Sequence, residues 1–345
     1  MPDLVAGQCE GVLRRGWSAT VDDYAIAGGW ALGGKSLVVG DAGGNIFSFE
    51  SKSGRTLWKG TDVHKGGMLA MAIHPNGKTI ATTGQDGRVL LWNAANGRLR
   101  QAIEVGPGGW VEHVAWASNG RLAVALSRQA FVYHADGAEA WRTTPHPSTV
   151  SAIAWSRSGE LATACYGRVT FFDTSSELRQ QLEWKGSLVS MVLHPEGDIV
   201  ACGSQDNTVH FWRRSTGEDS MMGGYPGKPS MLTFDREGSF LATNGSEAVT
   251  VWNFEGDGPE GTRPVVLENH MLPVTELAFA PNATTLASGG RDGAVVVWLL
   301  RRGEGLPVGA GFVDGVVAGL HWRPDGRALV ALNAGGRVIA WRVRY

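Results

Sequence analysis

The sequence predicts an all-β protein made of one unit repeated eight times, and three observations carry that prediction. A bulky aromatic closes an apolar run at Phe49, Trp92, Tyr133, Phe172, Trp212, Trp252, Trp298 and Trp341, at spacings of 43, 41, 39, 40, 40, 46 and 43 residues. The runs follow tight-turn signals such as the Asp-Gly of TTGQDGRVLLW (82–92) and SGGRDGAVVVW (288–298); Asp and Gly both tolerate the backbone that a hairpin turn needs. The chain is also rich in glycine (49) and tryptophan (14) over 345 residues, which suits many short strands joined by turns and packed through wide gaps.

Each unit supplies its strands in a fixed order. An apolar segment and a turn come first: AMAIHPNG at 70–77, HVAWASNG at 113–120, AIAWSRSG at 152–159, SMVLHPEG at 190–197, MLTFDREG at 231–238, ELAFAPNA at 276–283 and AGLHWRPDG at 318–326. A short strand follows, such as TIATTG, DIVACG, TLASGG or RALVAL, and then the aromatic-ended strand. Several units add a fourth segment that contains a tryptophan, at Trp58, Trp141 and Trp184. Four strands at a period near 40–45 residues are the signature of a β-propeller. Residues 1–345 therefore read as one domain, an all-β propeller of eight four-stranded blades, with seven as the nearest alternative count. The last unit stops at Tyr345, before any fourth segment, whereas GVLRRGWSAT near the N-terminus is a spare copy of one. Residues 11–17 are expected to complete the last blade and close the ring, removing an open edge.

Composition narrows the function. A formal charge of −2 and a pI near 6.5 offer no basic footprint for nucleic acid. No apolar run reaches membrane-spanning length. Cys9, Cys165 and Cys202 form neither a metal-type spacing nor an even-numbered framework, and the N-terminus lacks a basic start and an apolar core; a reducing, cytoplasmic setting is expected.

The repeats resemble the WD40 family over nearly the whole chain. The best matches are 64–92 and 270–298, where His64 and His270 precede the terminal Trp by 28 residues and the turn Asp by 22. The resemblance implies a hydrogen-bonded network inside each such blade: His64, Thr82, Asp86 and Trp92, then His270, Ser288, Asp292 and Trp298. Asp206 and Trp212 keep part of it in the 202–212 unit, where Cys202 replaces the hydroxyl. The 146–172 unit keeps His146 and Thr163 but has Tyr166 and Phe172 in place of Asp and Trp. Units ending at Phe49, Tyr133, Trp252 and Trp341 have no acid in the turn.

The resemblance also implies contact positions for partners on the face that bears the His loops and the Asp turns. In this sequence they fall at Tyr24, Ile26, Leu69, Trp110, Glu112, Ser151, Val189, Lys228, Ser230 and Thr275, with Gln85, Gln205 and Arg291 from the turn series. The function so implied is a non-enzymatic scaffold, a monomeric propeller in a larger complex that binds proteins or peptides, with no nucleic acid, membrane, metal or cofactor. The competing reading is a quinone-dependent dehydrogenase, because SKSGRTLWKG at 51–60 resembles that family's tryptophan-docking segments. Those enzymes need export and a Ca²⁺-binding acidic cluster, and neither is evident; Trp58, Trp141 and Trp184 are expected to pack between blades. His74 and His194 are repeat equivalents before prolines, HxH and HExxH spacings are absent, and no GxSxG motif occurs. Asp22-Asp23 and the Glu255/Asp257/Glu260 group read as solvated loop charges.

Overall fold

In the computed structural model, which describes residues 6–106, 108–256, 258–281, 284–301 and 303–344, eight antiparallel sheets form a ring. Asp257 and Arg302 lie outside the described residues. Each sheet runs from an inner strand through two middle strands to an outer one. Blade 2 is representative, with Met68–Ile73 innermost, then Thr79–Gly84, Arg88–Asn93 and Leu99–Glu104. Blades 1 and 3–7 begin at Ala25, Val111, Ala152, Leu188, Leu232 and Val274. The eighth begins at Val317 and takes its outer strand from the other end of the chain.

The closing strand is longer than the expected 11–17. Leu13–Thr20 pairs with Arg337–Val343, from Leu13 opposite Val343 to Thr20 opposite Arg337, with a register shift at Gly16. A strap that the sequence did not suggest precedes it: Cys9–Gly11 pairs with the outer strand of blade 7, Cys9 opposite Gly311, as a fifth strand. One short stretch of chain therefore edges two neighbouring blades.

The core is not central. It lies in eight wedges, each shared by adjacent blades. Leu37, Phe49, Val330 and Val338 fill the wedge between blades 8 and 1. Ile80, Trp92, Ile46 and Val38 fill the next one. A blade is covered on both faces, so its second strand is buried along its whole length rather than at alternate residues.

Tryptophans bolt the wedges from two sides. On the outer strands, Trp17 donates to Ser51 O (2.8 Å) and Trp58 to Ala94 O (3.0 Å), in each case in the following blade. Both indoles lie over a turn glycine, Gly54 and Gly97. Each glycine has φ near +70°, and a Cβ there would lie within 2.6 Å of the indole ring. No other residue meets both demands. On the inner strands, Trp30, Trp116, Trp155 and Trp322 donate to His321 O, Ala72 O, Ala115 O and Ala278 O of the preceding blade, at 2.9–3.3 Å.

Removing residues 1–20 leaves Arg337–Val343 as a bare edge and should give a protein that aggregates or melts well below the full chain. Removing only residues 1–11 strips the extra strap and should cost much less. Size-exclusion profiles and thermal melts of the two truncations test the ranking, and equal stability of all three proteins would contradict closure by the 13–20 strand.

Candidate functional site

In blade 2 His64 lies between the other members of its network. Its Nδ1 is 3.0 Å from Asp86 Oδ1 and its Nε2 is 2.8 Å from Thr82 Oγ1, which also accepts from Trp92 Nε1 at 2.9 Å. Blade 7 repeats the set with His270, Asp292 (3.2 Å), Ser288 (2.8 Å) and Trp298 (2.8 Å). The proton positions follow by elimination. An indole can only donate, so the hydroxyl accepts from Trp and gives its own hydrogen to Nε2. The imidazole then carries its proton on Nδ1 and donates it to the carboxylate. Burial holds the His64 pKa below its ordinary value despite the Asp86 bond. Burial alone would raise the Asp86 pKa, but bonds from His64 and Arg88 outweigh it and keep the carboxylate low. The second Asp86 oxygen accepts from Lys65 N and Arg88, and that of Asp292 from Met271 N at 2.7 Å. Both ring nitrogens are thus occupied, and neither histidine is available as a base.

The remaining blades fill the same slot differently, and the slot's two sides match. Strand register aligns Val39, Thr82, Val124, Thr163, Cys202, Thr243, Ser288 and Ala331. Opposite the hydroxyls stand His64, His146, Tyr225 and His270. Near the apolar residues stand Val21, Val105 and Val313, buried in the wedges that also hold Phe49, Tyr133 and Trp341. Tyr225 was missed in the sequence because it is not a histidine. Its hydroxyl nevertheless accepts from Trp252 Nε1 at 2.8 Å and meets Thr243 Oγ1 at 2.9 Å. In blade 4 the contact from His146 to Thr163 is longer, 3.3 Å, and burial beside Arg168 and Arg128 pushes His146 down to about 4.

Blade 5 departs furthest. Asp206, expected to keep part of the network in a unit with no loop histidine, is exposed and accepts from Thr208 Oγ1 at 2.7 Å, so it pins its own turn. Trp184, expected to pack between blades from a fourth strand, lies just past that strand's end at Glu183. It stacks on His210 at 3.9 Å, and His210 meets the edge of Trp212 at 4.3 Å. With Cys202 unable to play the hydroxyl's part, an aromatic stack replaces the polar relay. Three loops without an Asp turn are held by other side chains. Asp41 accepts from the amides of Asp22, Asp23 and Asn45, Asn244 donates to Val274 O, and Asn333 Oδ1 accepts from Gly335 N and Arg337 N.

The contact positions lie on the face that bears these loops. Tyr24 and Trp110 are 43% and 54% exposed. Glu112, Gln205, Lys228, Ser230 and Arg291 are also exposed, while Ile26, Leu69, Gln85, Ser151, Val189 and Thr275 are half-buried. Ile26, Leu69, Glu112, Val189 and Thr275 share a backbone cause: the inner-strand ladder skips each of them in a bulge, which turns one residue out of the pairing. Thr275 uses its hydroxyl to reach Val317 O of blade 8 at 2.7 Å. Three further exposed residues join this face. Tyr166 stands in the turn where other blades have Asp, and Met271 and Leu272 follow the network histidine. A cavity of about 440 Å³ opens here, lined by Glu112, His113, Ser148, Tyr166 and Ser187.

Below the rim the inner strands are half-buried along most of their length, so they wall an open lumen. Glu276 belongs to this wall. Burial raises its carboxyl to about 7, and among the described residues it has no hydrogen bond or ion pair. No group of three or more His, Cys, Asp or Glu that could hold a metal occurs among the described residues.

The surroundings of each carboxylate set the cost of replacing it. Asp292→Ala should leave Nδ1–H of His270 and the Met271 amide without their acceptor and cost ~2–4 kcal/mol in denaturant unfolding. Asp206→Ala should cost under ~1 kcal/mol, because its carboxylate is solvated. For Glu276 the folded pKa lies above the ordinary 4.5. The stabilising effect is therefore complete below 4.5 and is lost as pH rises through 7. Glu276→Gln should exceed the wild type by roughly 2–3 kcal/mol at pH 8 and match it near pH 4.5. Parallel melts across that range check the convergence.

The comparisons with known proteins agree with the architecture. The family model described as WD domain, G-beta repeat matches residues 55–93, 177–213 and 261–298. These segments carry Trp92, Trp212 and Trp298 at or one residue before their ends, each with Asp six positions earlier. Among curated relatives, "Echinoderm microtubule-associated protein-like 2" of Rattus norvegicus is 23% identical over 287 residues, covering 77% of this chain and 42% of its own length. "Autophagy-related protein 16" of Arabidopsis thaliana is 22% identical, covering 81% of this chain and 56% of its own. "Actin-interacting protein 1" of Caenorhabditis elegans is 22% identical, covering 78% and 44%. The chain thus spans about half the length of the curated relatives it matches. The crystal structure of the computationally designed Ika8 protein superposes with a TM-score of 0.80 at 20% identity, covering 96% of this chain and all of that one. The chain carries WD40 repeats within an eight-bladed β-propeller.

Proposed function

We propose that this propeller is a non-enzymatic platform that binds a protein or peptide on its loop-bearing face. One observation carries the reading. The exposed large apolar side chains Tyr24, Trp110, Tyr166, Met271 and Leu272 all stand on that face. The others among the described residues, Leu57, Leu99, Leu178, Met221, Val266 and Leu306, lie one to a blade on outer strands. Scattered single residues are ordinary surface, whereas a set gathered on one face around a concavity marks a docking surface. The wired histidines support the non-enzymatic part, since the polar clusters of blades 2 and 7 present no unoccupied base. Trp58, the residue on which the quinone-docking resemblance rests, donates to Ala94 O as an inter-blade bolt. The relatives named for microtubules and actin are in keeping with a protein partner.

The test begins with affinity capture and identification of the partner, followed by a Tyr24→Ala, Trp110→Ala, Arg291→Ala triple variant. Aromatic and Arg anchors contribute ~2 kcal/mol or more apiece, so the variant should bind at least ~100-fold more weakly with an unchanged melting temperature. Leu57→Ser and Leu178→Ser, on outer strands, should bind normally. With a net charge of only −2, the association rate should change little with salt. Full binding by the triple variant would move the interface to another surface.

A further inference from the structure

We infer that the lumen receives a guanidinium or ammonium group on the tip of a partner's side chain, entering from the loop-bearing face and held by Glu276. The inference rests on the reading of that face as the docking surface and names one element of what it recognises.

The ring at this height can be read from strand register. Glu276 pairs with Gly289 just below the inner-strand bulge. The equivalent positions in the other blades are Ala27, Ala70, His113, Ala152, Ser190 and Gly319. Met231, one residue before the Leu232–Thr243 pair, completes the set. Most of these are small or apolar, and Ser190 is engaged with Pro229 O of blade 6 at 2.9 Å. His113 stands in blade 3, four blades from Glu276 and so on the opposite wall. It forms no ion pair with Glu276 among the described residues; burial lowers its pKa, and the acid that acts against this is its neighbour Glu112, not Glu276. Small side chains at this level leave the lumen open, and among the described residues of this ring Glu276 is the one acid and has no counter-charge.

Glu276 differs from the other shielded acids. Asp41, Asp86, Asp235 and Asp292 each accept from backbone amides, and Asp86 also from an arginine. Glu276 is half-buried on the lumen wall with no protein donor, and a cation reaching it from the open side would supply the partner it lacks. The neighbouring strands supply none, and the cations of the adjoining rim, Lys228 and Arg291, are exposed to solvent. The second strand of blade 7, TLASGG, has no titratable group, and neither does LTF, the inner strand of blade 6. The inner strand of blade 8 offers only His321, which burial keeps neutral with a pKa of about 4. Access comes from above. Glu276 is three residues past Pro273 at the rim, a drop of about 10 Å at a strand's rise per residue, or less where the bulge shortens it. That depth suits a long, unbranched cationic side chain.

The probe is n-butylguanidinium, with uncharged n-butylurea as its shape control, titrated calorimetrically into the full chain. Wild type should bind the cation at pH 8. Glu276→Gln, which should fold at least as stably as wild type, should bind it at least tenfold more weakly. Wild-type binding should fall by a similar factor at pH 5.5, whereas that of Glu276→Gln should change little. Butylurea should bind both proteins equally weakly. Equal cation binding by the two proteins, or none by wild type, would overturn the assignment. The Tyr24/Trp110/Arg291 triple variant separates the two readings, because it should keep the small cation while losing the partner. If Glu276→Gln binds like wild type and the triple variant still loses the partner, the lumen assignment fails and the surface reading stands.

Discussion

Every blade depends on its neighbour to cover it. A four-stranded sheet that is apolar on both faces cannot exist alone in water, and each wedge here is half the property of one blade and half of the next. The ring must therefore close, and closure is the constraint from which the remaining architecture follows. It explains why the chain returns its N-terminus to blade 8, why outer-strand indoles reach across to a carbonyl of the following blade, and why the turn beneath each of those indoles is a glycine. It also explains the Trp30, Trp116, Trp155 and Trp322 bonds, which fasten inner strands to their predecessors where no ladder joins them.

Closure leaves one variable slot in each blade, between the outer-to-inner loop and the second strand. The slot tolerates a polar relay or an apolar plug, and it penalises a mixture. Where the second strand offers a hydroxyl, the loop brings an imidazole or a phenol; where it offers Val or Ala, the loop brings Val. The matching is physical: a hydroxyl beside valine would be buried without a partner, and an imidazole beside alanine would lose a bond to one nitrogen. Blade 8 shows the residual cost, since Trp341 keeps the family's aromatic but its indole N–H finds no acceptor beside Ala331 and Val313.

This matching also sets how far the sequence could be read. The count of eight, the strand order and the two full networks were legible because each rests on a period or on a histidine and an aspartate at fixed separation. Tyr225 was not, because a phenol that substitutes for an imidazole leaves no spacing signal of its own. Trp184 packs between blades 4 and 5 as expected, but its stacking on His210 was not legible, because that histidine has no fixed spacing in the repeat. The strap at Cys9–Gly11 carries no repeat signature; it is defined by an edge elsewhere in the molecule. Met271 and Leu272 were overlooked because two apolar residues after a network histidine look like the start of a buried strand. The structure instead leaves them in solvent, with the strand starting at Val274.

The distribution of satisfied charge points to where function can reside. Carboxylates at the turns and loop anchors are held by two or more donors, and the histidines of blades 2 and 7 are engaged at both nitrogens. Groups so committed stabilise the ring and cannot act on anything else without loosening it. Among the described residues, the loop-bearing rim and the lumen below it keep aromatics without a cover and one half-buried carboxylate without a donor. A rigid ring holds such groups at fixed separations, so a partner that matches them loses little entropy to ordering the platform. On the proposed reading, recognition depends on the spacing of these unsatisfied groups, which closure of the ring sets far from where they act.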